Sequence, residues 1–327
     1  MVMANLETTY AGISLKNPLI VSSSGLTDSA DKIVKLADEG AGGVVLKSLF
    51  EEQIKFESGK LVNSTDYPEA EDYLNHYIRS NSVDTYLELI EESKSRAGIP
   101  IIASINCIST TEWIEFARKI EEAGADALEL NVYFMPLSKE DPCQKYEKIY
   151  LDLATRIKEL ISIPVIMKLS NHFTNLVNLV NQLYFRNISA VVLFNRFYSP
   201  DIRIDDQKLV ASGVFSTSSD IRDPLRWTAI ISHFTDKISL GASTGVHDGE
   251  AFIKLLLAGA HAVHVCSVLY KNGTGYIKTI LEEVQAWMEK NNYSAIDDFR
   301  GRMNYRNIPD PMVYERSQFM KYYSSHH

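Results

Sequence analysis

Six places in this chain bring together side chains that bind rather than pack. They are SSSG (22–25), the adjacent Lys47 and Ser48, then Asn106, Asn131, Lys168 and Asn195. Each closes a short apolar run. Two lysines and three asparagines converging on one cavity require a ligand rich in acceptors, because a buried lysine without a negative partner is costly. Taken singly, each is an ordinary loop residue. Their shared position at the ends of apolar runs is what argues for a site. Two further stretches carry a different chemistry. GASTG (241–245) leads into a helix near Asp248, and Cys266 and Ser267 close the last apolar run ahead of Lys271 and a final helix. Turns of this kind hold phosphate through backbone N–H groups and helix N-termini.

The elements that must carry these residues alternate regularly. The apolar runs are PLIVSS (18–23), GVVLKS (43–48), PIIASI (100–105), DALELN (126–131), PVIMKL (164–169), AVVLFN (190–195), KISLGA (237–242) and AVHVCS (262–267). Most are near-continuously apolar, as strands covered on both faces are. Helical patterns fill the gaps, over 28–39, 84–96, 110–122, 145–160, 175–185, 225–233, 248–257 and 274–290. Eight βα units predict an α/β fold, a (β/α)8 TIM barrel with a short N-terminal hairpin and a C-terminal tail. A doubly wound sheet is the alternative, since strand runs alone do not prove closure. The expected organisation is one domain over 1–327, with the barrel over about 15–291 and the tail over 292–327. The hairpin falls in 6–16 and closes the barrel bottom; the aromatic tail wraps the barrel or forms a subunit contact. Helix-to-strand connections are short, whereas 49–83, 132–144 and 196–223 follow strands and are long. Long loops at strand carboxyl ends are where barrels place their active sites.

Composition narrows the class. The chain has 327 residues, 45% hydrophobic, and a net charge of -9, an acidic balance that argues against nucleic acid as a partner. No apolar run approaches a membrane span, and the N-terminus lacks the basic and apolar regions of a secretory signal. Three widely spaced cysteines, Cys107, Cys143 and Cys266, suit neither a disulfide framework nor a metal cluster. A cytoplasmic protein without a structural metal is expected.

With NPLIVSSSG, VVLKS, LELN, PVIMKLS, FNR, ASTG and CSVLYKNG in place, the chain resembles the class 1 dihydroorotate dehydrogenases, the soluble FMN-containing branch, over about 15–299. The resemblance implies that Ser23, Ser24, Gly25, Lys47 and Ser48 touch flavin. It implies that Asn106, Asn131, Lys168 and Asn195 line the isoalloxazine ring, with Lys168 stabilising negative charge on reduced flavin. Thr244, Gly245, Cys266 and Ser267 would hold the phosphate. Family glycines ahead of the sixth helix correspond loosely to Ser218 and Ser219. A homodimer acting on a small-molecule substrate is implied as well.

The resemblance breaks on the substrate side. The family follows its strand-four asparagine with N-x-S-C-P-N, whose cysteine is the general base. Here that stretch reads NVYFMP, with Phe134 at the cysteine position. The family loop N-x-M-G-L-P-N has no counterpart around DYPEAEDYLNHYIRS, where Asn75 and Asn81 stand isolated, and the glycine-rich loop after strand six has become SGVFSTSSDIRDP. Tyr133, Phe134 and Met135 are therefore expected to shape a more apolar pocket or to shield the cofactor. Lys47, Tyr133 and Cys143 are the candidate catalytic groups, the base remaining open, with His172 a further candidate and Arg196, Arg203 and Arg222 available to an acidic substrate. The expected activity is FMN-dependent oxidation of a CH–CH group, dihydroorotate or a related substrate, with hydride passing to flavin N5. The alternatives are a non-catalytic flavin-binding or regulatory protein, and a flavin-free barrel using Lys168 as a Schiff-base lysine.

Overall fold

A computed structural model describes residues 4–50, 83–107, 114–142, 144–197, 199–235 and 237–315. Eight parallel strand positions close on themselves. In chain order they are β3 (Leu19–Val21), β4 (Gly43–Val45), β6 (Ile101–Cys107), β7 (Ala127–Val132), β8 (Val165–Leu169), β9 (Ala190–Leu193), β12 (Ser239–Ser243) and β13 (Ala262–Val265). β13 pairs with β3, and β4 pairs with both β3 and β6, which completes the barrel and removes the doubly wound alternative. The short β5 (Leu49–Phe50) continues the second strand position beyond Lys47 and pairs with the far end of β6. All eight apolar runs in the sequence become these strands.

Each barrel strand is buried on both faces because helices cover the outside and side chains fill the inside. Ile20, Val45, Ile102, Ile166, Val192 and Ala262 form an inner apolar cluster, capped from below by Tyr10. Tyr10 is delivered by the antiparallel pair β1 (Thr8–Tyr10) and β2 (Ile13–Leu15), the expected hairpin. Around the barrel run α1 (Ala30–Asp38), α2 (Val83–Arg96), α3 (Ile114–Glu122), α4 (Gln144–Lys158), α5 (Leu176–Tyr184), α6 (Arg222–Phe234), α7 (Gly249–Ala258) and α9 (Tyr276–Lys290). α1 shows the local logic: Ile33 and Leu36 face the core, with Asp31 in the first turn and Lys35 in the last, complementing the helix dipole. α5 begins where the Asn175 side chain accepts a 3.0 Å hydrogen bond from the Asn178 N–H.

Two elements lie outside the expected pattern. The loop after β9 contains an exposed antiparallel ribbon, β10 (Pro200–Arg203) with β11 (Lys208–Ala211). A short helix, α8 (Ser267–Asn272), precedes α9. The tail packs back on the barrel: Gly301 and Met303 donate backbone hydrogen bonds to Leu256 and Leu257 of α7, and Tyr305 to Ala229 of α6. Among the described residues, no helix is long and apolar enough to cross a membrane.

Candidate active site

Strand register explains why the binding residues gather. Asn106 of β6 sits beside Asn131 of β7, and Asn131 beside Lys168 of β8. Side chains alternate along a strand, so 127, 129 and 131 of β7 point into the barrel while 128, 130 and 132 point out to the helices. Asn195 follows β9; its backbone N–H bonds the Leu169 carbonyl, and its amide nitrogen donates to Asn131 Oδ1 at 2.7 Å. These three asparagines and one lysine thus occupy one side of the mouth.

The other side is a chain of hydroxyls. Ser23 Oγ lies 3.0 Å from Ser48 Oγ, which lies 2.8 Å from Ser104 Oγ. The Ser48 N–H donates to Ser23 Oγ at 2.8 Å. Ser24 and Gly25 form a turn tied by Thr27, whose hydroxyl donates to the Ser24 carbonyl. Lys47 is half-buried just before Ser48, its backbone N–H on the Thr27 carbonyl. Ser104 was not singled out in the sequence, because it looks like strand filler; its inward parity was the available signal.

Below the asparagines lies a cavity of about 200 Å³, lined by Ser22, Ser23, Lys168, Asn195, Arg196, Ser216, Ser243, Thr244, Gly245, His264, Cys266 and Ser267. Lys168 is 7% exposed, and its Nζ stands 3.6 Å from Glu129 Oε1. Thr244 and Gly245 both adopt positive φ, 85° and 81°. A Cβ on Gly245 would lie 2.2 Å from the Ile221 nitrogen, so only glycine lets the 218–221 turn close over this corner. Burial pushes the Cys266 thiol up, against the opposing pull of the Ser24 contact and the Lys168 charge, so Cys266 lines the cavity as a neutral thiol.

The phosphate expectation changes in detail. The N-terminus of α7 is occupied: Asp248 accepts from the Ala251 N–H and Glu283 from the Gly249 N–H. The Thr244–Gly245 turn itself lines the cavity, beside Cys266 and Ser267. Ser267 Oγ accepts from the Ser216 N–H at 3.0 Å, and Lys271 donates to the Ser216 carbonyl at 2.8 Å. Ser216, which sequence reasoning passed over, is buried and also contacts His247 Nε2 at 3.0 Å. Burial, and then the Lys271 charge, hold His247 below its ordinary value. Ser218, the loosely matched residue, is exposed and lines neither cavity, whereas Ser219 lines the second.

A second, wider cavity of about 590 Å³ opens beside the first and shares Asn195, Arg196 and Thr244 with it. Tyr133, Met135, His172, Phe197 and Arg222 line it. The Tyr133 and Phe197 rings are 4.6 Å apart, and His172 stacks on Phe197 at 5.8 Å with an interplanar angle of 15°. Phe134, just beyond β7, meets Tyr150 edge-on at 6.2 Å and lines a third cavity of about 230 Å³ together with His172 and Phe173. Tyr150 in turn donates to the Val132 carbonyl. Of the arginines, Arg196 is spent on the carbonyls of Gly213, Val214 and Phe215, and Arg203 pairs with Asp206 in the exposed ribbon, away from both cavities. Cys143, the relocated-base candidate, lies outside the described residues, as do Asn75 and Asn81.

A closed βα barrel thus gathers a buried lysine, amide groups and a tight positive-φ turn at its carboxyl mouth. Comparison with known proteins gives the family. The family model for dihydroorotate dehydrogenase matches residues 5–288, and the chain belongs to that family. The chain is 27% identical over 310 residues to "Dihydroorotate dehydrogenase B (NAD(+)), catalytic subunit" of Thermoplasma acidophilum, covering 91% of this chain and 99% of that one. The same name in Methanocaldococcus jannaschii goes with 26% identity over 88% of this chain and 94% of that relative. The chloroplastic dihydropyrimidine dehydrogenase (NADP(+)) of Arabidopsis thaliana is 22% identical, over 91% of this chain and 76% of its own length.

Proposed function

We propose that the chain binds FMN at the barrel mouth and oxidises a CH–CH group in a small ring substrate, as the names of its relatives suggest for their own activities. The observation that carries this is Lys168: a lysine 7% exposed, aimed into a cavity with serines, an asparagine and a positive-φ turn. The groups present fit FMN. The Thr244–Gly245 turn offers backbone N–H groups to a phosphate, and Asn106, Asn131 and Asn195 can both donate to and accept from a heterocycle edge. Lys168 supplies positive charge where electron density accumulates.

When bound, FMN would supply the hydride acceptor. The chain's own residues do the rest. Asn131 and Asn195, already bonded to each other, present a fixed amide edge to that heterocycle. Tyr133, Phe197 and His172 provide an aromatic wall that suits a planar ring and excludes water. The proton lost from substrate needs a base, and His172, stacked on Phe197, is the imidazole that faces the wider cavity. Passage of electrons to NAD through a second subunit is supported by the words "catalytic subunit" in the relatives' names.

The test is an anaerobic visible spectrum of FMN-loaded protein before and after dihydroorotate and, separately, dihydrouracil. Bleaching by either supports the proposal and assigns the substrate. An intact flavin band with both means the substrate side has lost this chemistry and favours a flavin-binding protein without it.

A further inference from the structure

The middle of the barrel contains an acid that folding does not require. Glu129 is completely buried, at an inward position of β7 flanked by apolar strands. Among the described residues, neither of its carboxylate oxygens has a hydrogen-bond partner. A leucine would fill that position at lower cost, because a buried carboxylate without hydrogen bonds is strongly disfavoured. Lys168 apart, the polar groups around it are neutral. Tyr10 reaches it from below, held as a phenol by burial and then by the Glu129 charge. Tyr86 of α2 is pushed up chiefly by burial, and again by Glu129, while its hydrogen bond to the Ser104 backbone acts the other way. His264 of β13 is pushed down to about 3, mainly by burial and secondly by Lys168. Gly241 of β12 makes room for this cluster: a Cβ there would lie 2.6 Å from Tyr10 Oη and 2.9 Å from His264 Nε2. The cation beside Glu129 is Lys168, at 3.6 Å, with Cys266 a neutral thiol on the far side of the cavity.

We propose that Glu129 is a positioning residue that keeps the Lys168 ammonium charged at the floor of the mouth. It does so as a buried counter-charge placed behind the lysine, on the side away from any ligand. At 3.6 Å the pair is close enough for strong attraction in a low-dielectric interior, yet too long to tie up the ammonium's hydrogens, which stay available to the cavity. Tyr10 and His264, both buried within the barrel, bring no competing charge to this interior. The consequence for a flavin rests on the reading above; the pairing itself does not.

The test is therefore run first on protein without flavin. Trace acetylation with acetic anhydride, mapped by peptide mass spectrometry, reports the fraction of Lys168 present as neutral amine, with exposed Lys290 as the internal reference. In Glu129→Gln, Lys168 acetylates at least tenfold faster than in the native chain at neutral pH, and the difference vanishes at strongly alkaline pH. Equal rates at neutral pH would overturn the proposal. A difference that persists at every pH would overturn it too, since that is the signature of a loosened barrel. If Glu129→Gln does not fold, the pair is removed stepwise: Lys168→Met lowers Tm, and Lys168→Met with Glu129→Gln recovers it. No recovery rejects the pairing. With FMN present, Glu129→Gln weakens binding of reduced relative to oxidised FMN about tenfold, a fall of about 30 mV for a two-electron couple, and has no such effect in the Lys168→Met background. A native chain that binds no FMN would end the flavin reading and leave the acetylation result to stand by itself.

Discussion

The two halves of the barrel mouth are built differently. The half formed by the ends of β3, β8, β12 and β13 is interior: Ser22, Lys168, Ser243 and His264 are buried, and the Thr244–Gly245 turn is locked under Ile221. The half formed by the loops after β7, β8 and β9 is exterior: Met135, His172 and Arg222 are exposed, and aromatic stacking holds it together. A buried polar site fixes one ligand and tolerates little change. An open aromatic site on loops can change its ligand at small cost to the fold. The buried polar groups are thus part of this barrel's core, while the open aromatic groups sit on its rim.

The largest effect expected is from Lys168→Ala. It leaves Glu129 buried without a counter-charge, which costs about 3–5 kcal/mol. It should also weaken FMN retention at least tenfold, read by denaturant unfolding and by flavin fluorescence. Acid comes next, and it acts on the interior half. His264 titrates at about 3 and His261 at about 4 in the folded chain, against an ordinary value of 6.5. His261 Nδ1 accepts the Leu240 N–H, which requires the neutral ring. Because the folded chain refuses protons the unfolded chain takes up, stability is full above pH 6.5 and falls as pH drops toward these values. The slope is on the order of 1.4 kcal/mol per pH unit for each ring. His264→Gln should flatten that acid limb in pH-dependent unfolding; an unchanged limb would remove His264 from it. Gly245→Ala should follow, at about 1–3 kcal/mol from left-handed backbone strain, more if the Ile221 contact does not yield. Smallest is Phe134→Cys. It should cost about 1 kcal/mol of packing and restore no dihydroorotate oxidation in a steady-state assay, because position 134 faces Tyr150. A gain in turnover would place that position at the reacting centre.

Most of the barrel was legible because buried parallel strands read as apolar runs, and each of the eight runs became a strand. The row Asn106, Asn131, Lys168 was legible for the same reason, being the polar closure of those runs. The packing of Phe134 against Tyr150 was not legible, because it depends on the helix that follows in the chain folding back over the end of β7. Glu129 was missed inside ALELN, where the same parity as Asn131 marks an inward acid. Ser216 could not have been found from sequence. Its role depends on a long loop folding back onto Ser267 and Lys271, contacts separated by 51 and 55 residues. The ribbon β10–β11 was hidden because exposed strands lack a buried face and so have no strong hydrophobic period.

The measurement that tests the contrast between the two halves most directly is a fluorescence titration of FMN into the native chain, Lys168→Ala and His172→Ala. Tight binding to the native chain, binding weakened at least tenfold in Lys168→Ala, and binding within twofold of native in His172→Ala are expected. Equal affinity in the native chain and Lys168→Ala, or a loss confined to His172→Ala, would contradict that division of the mouth.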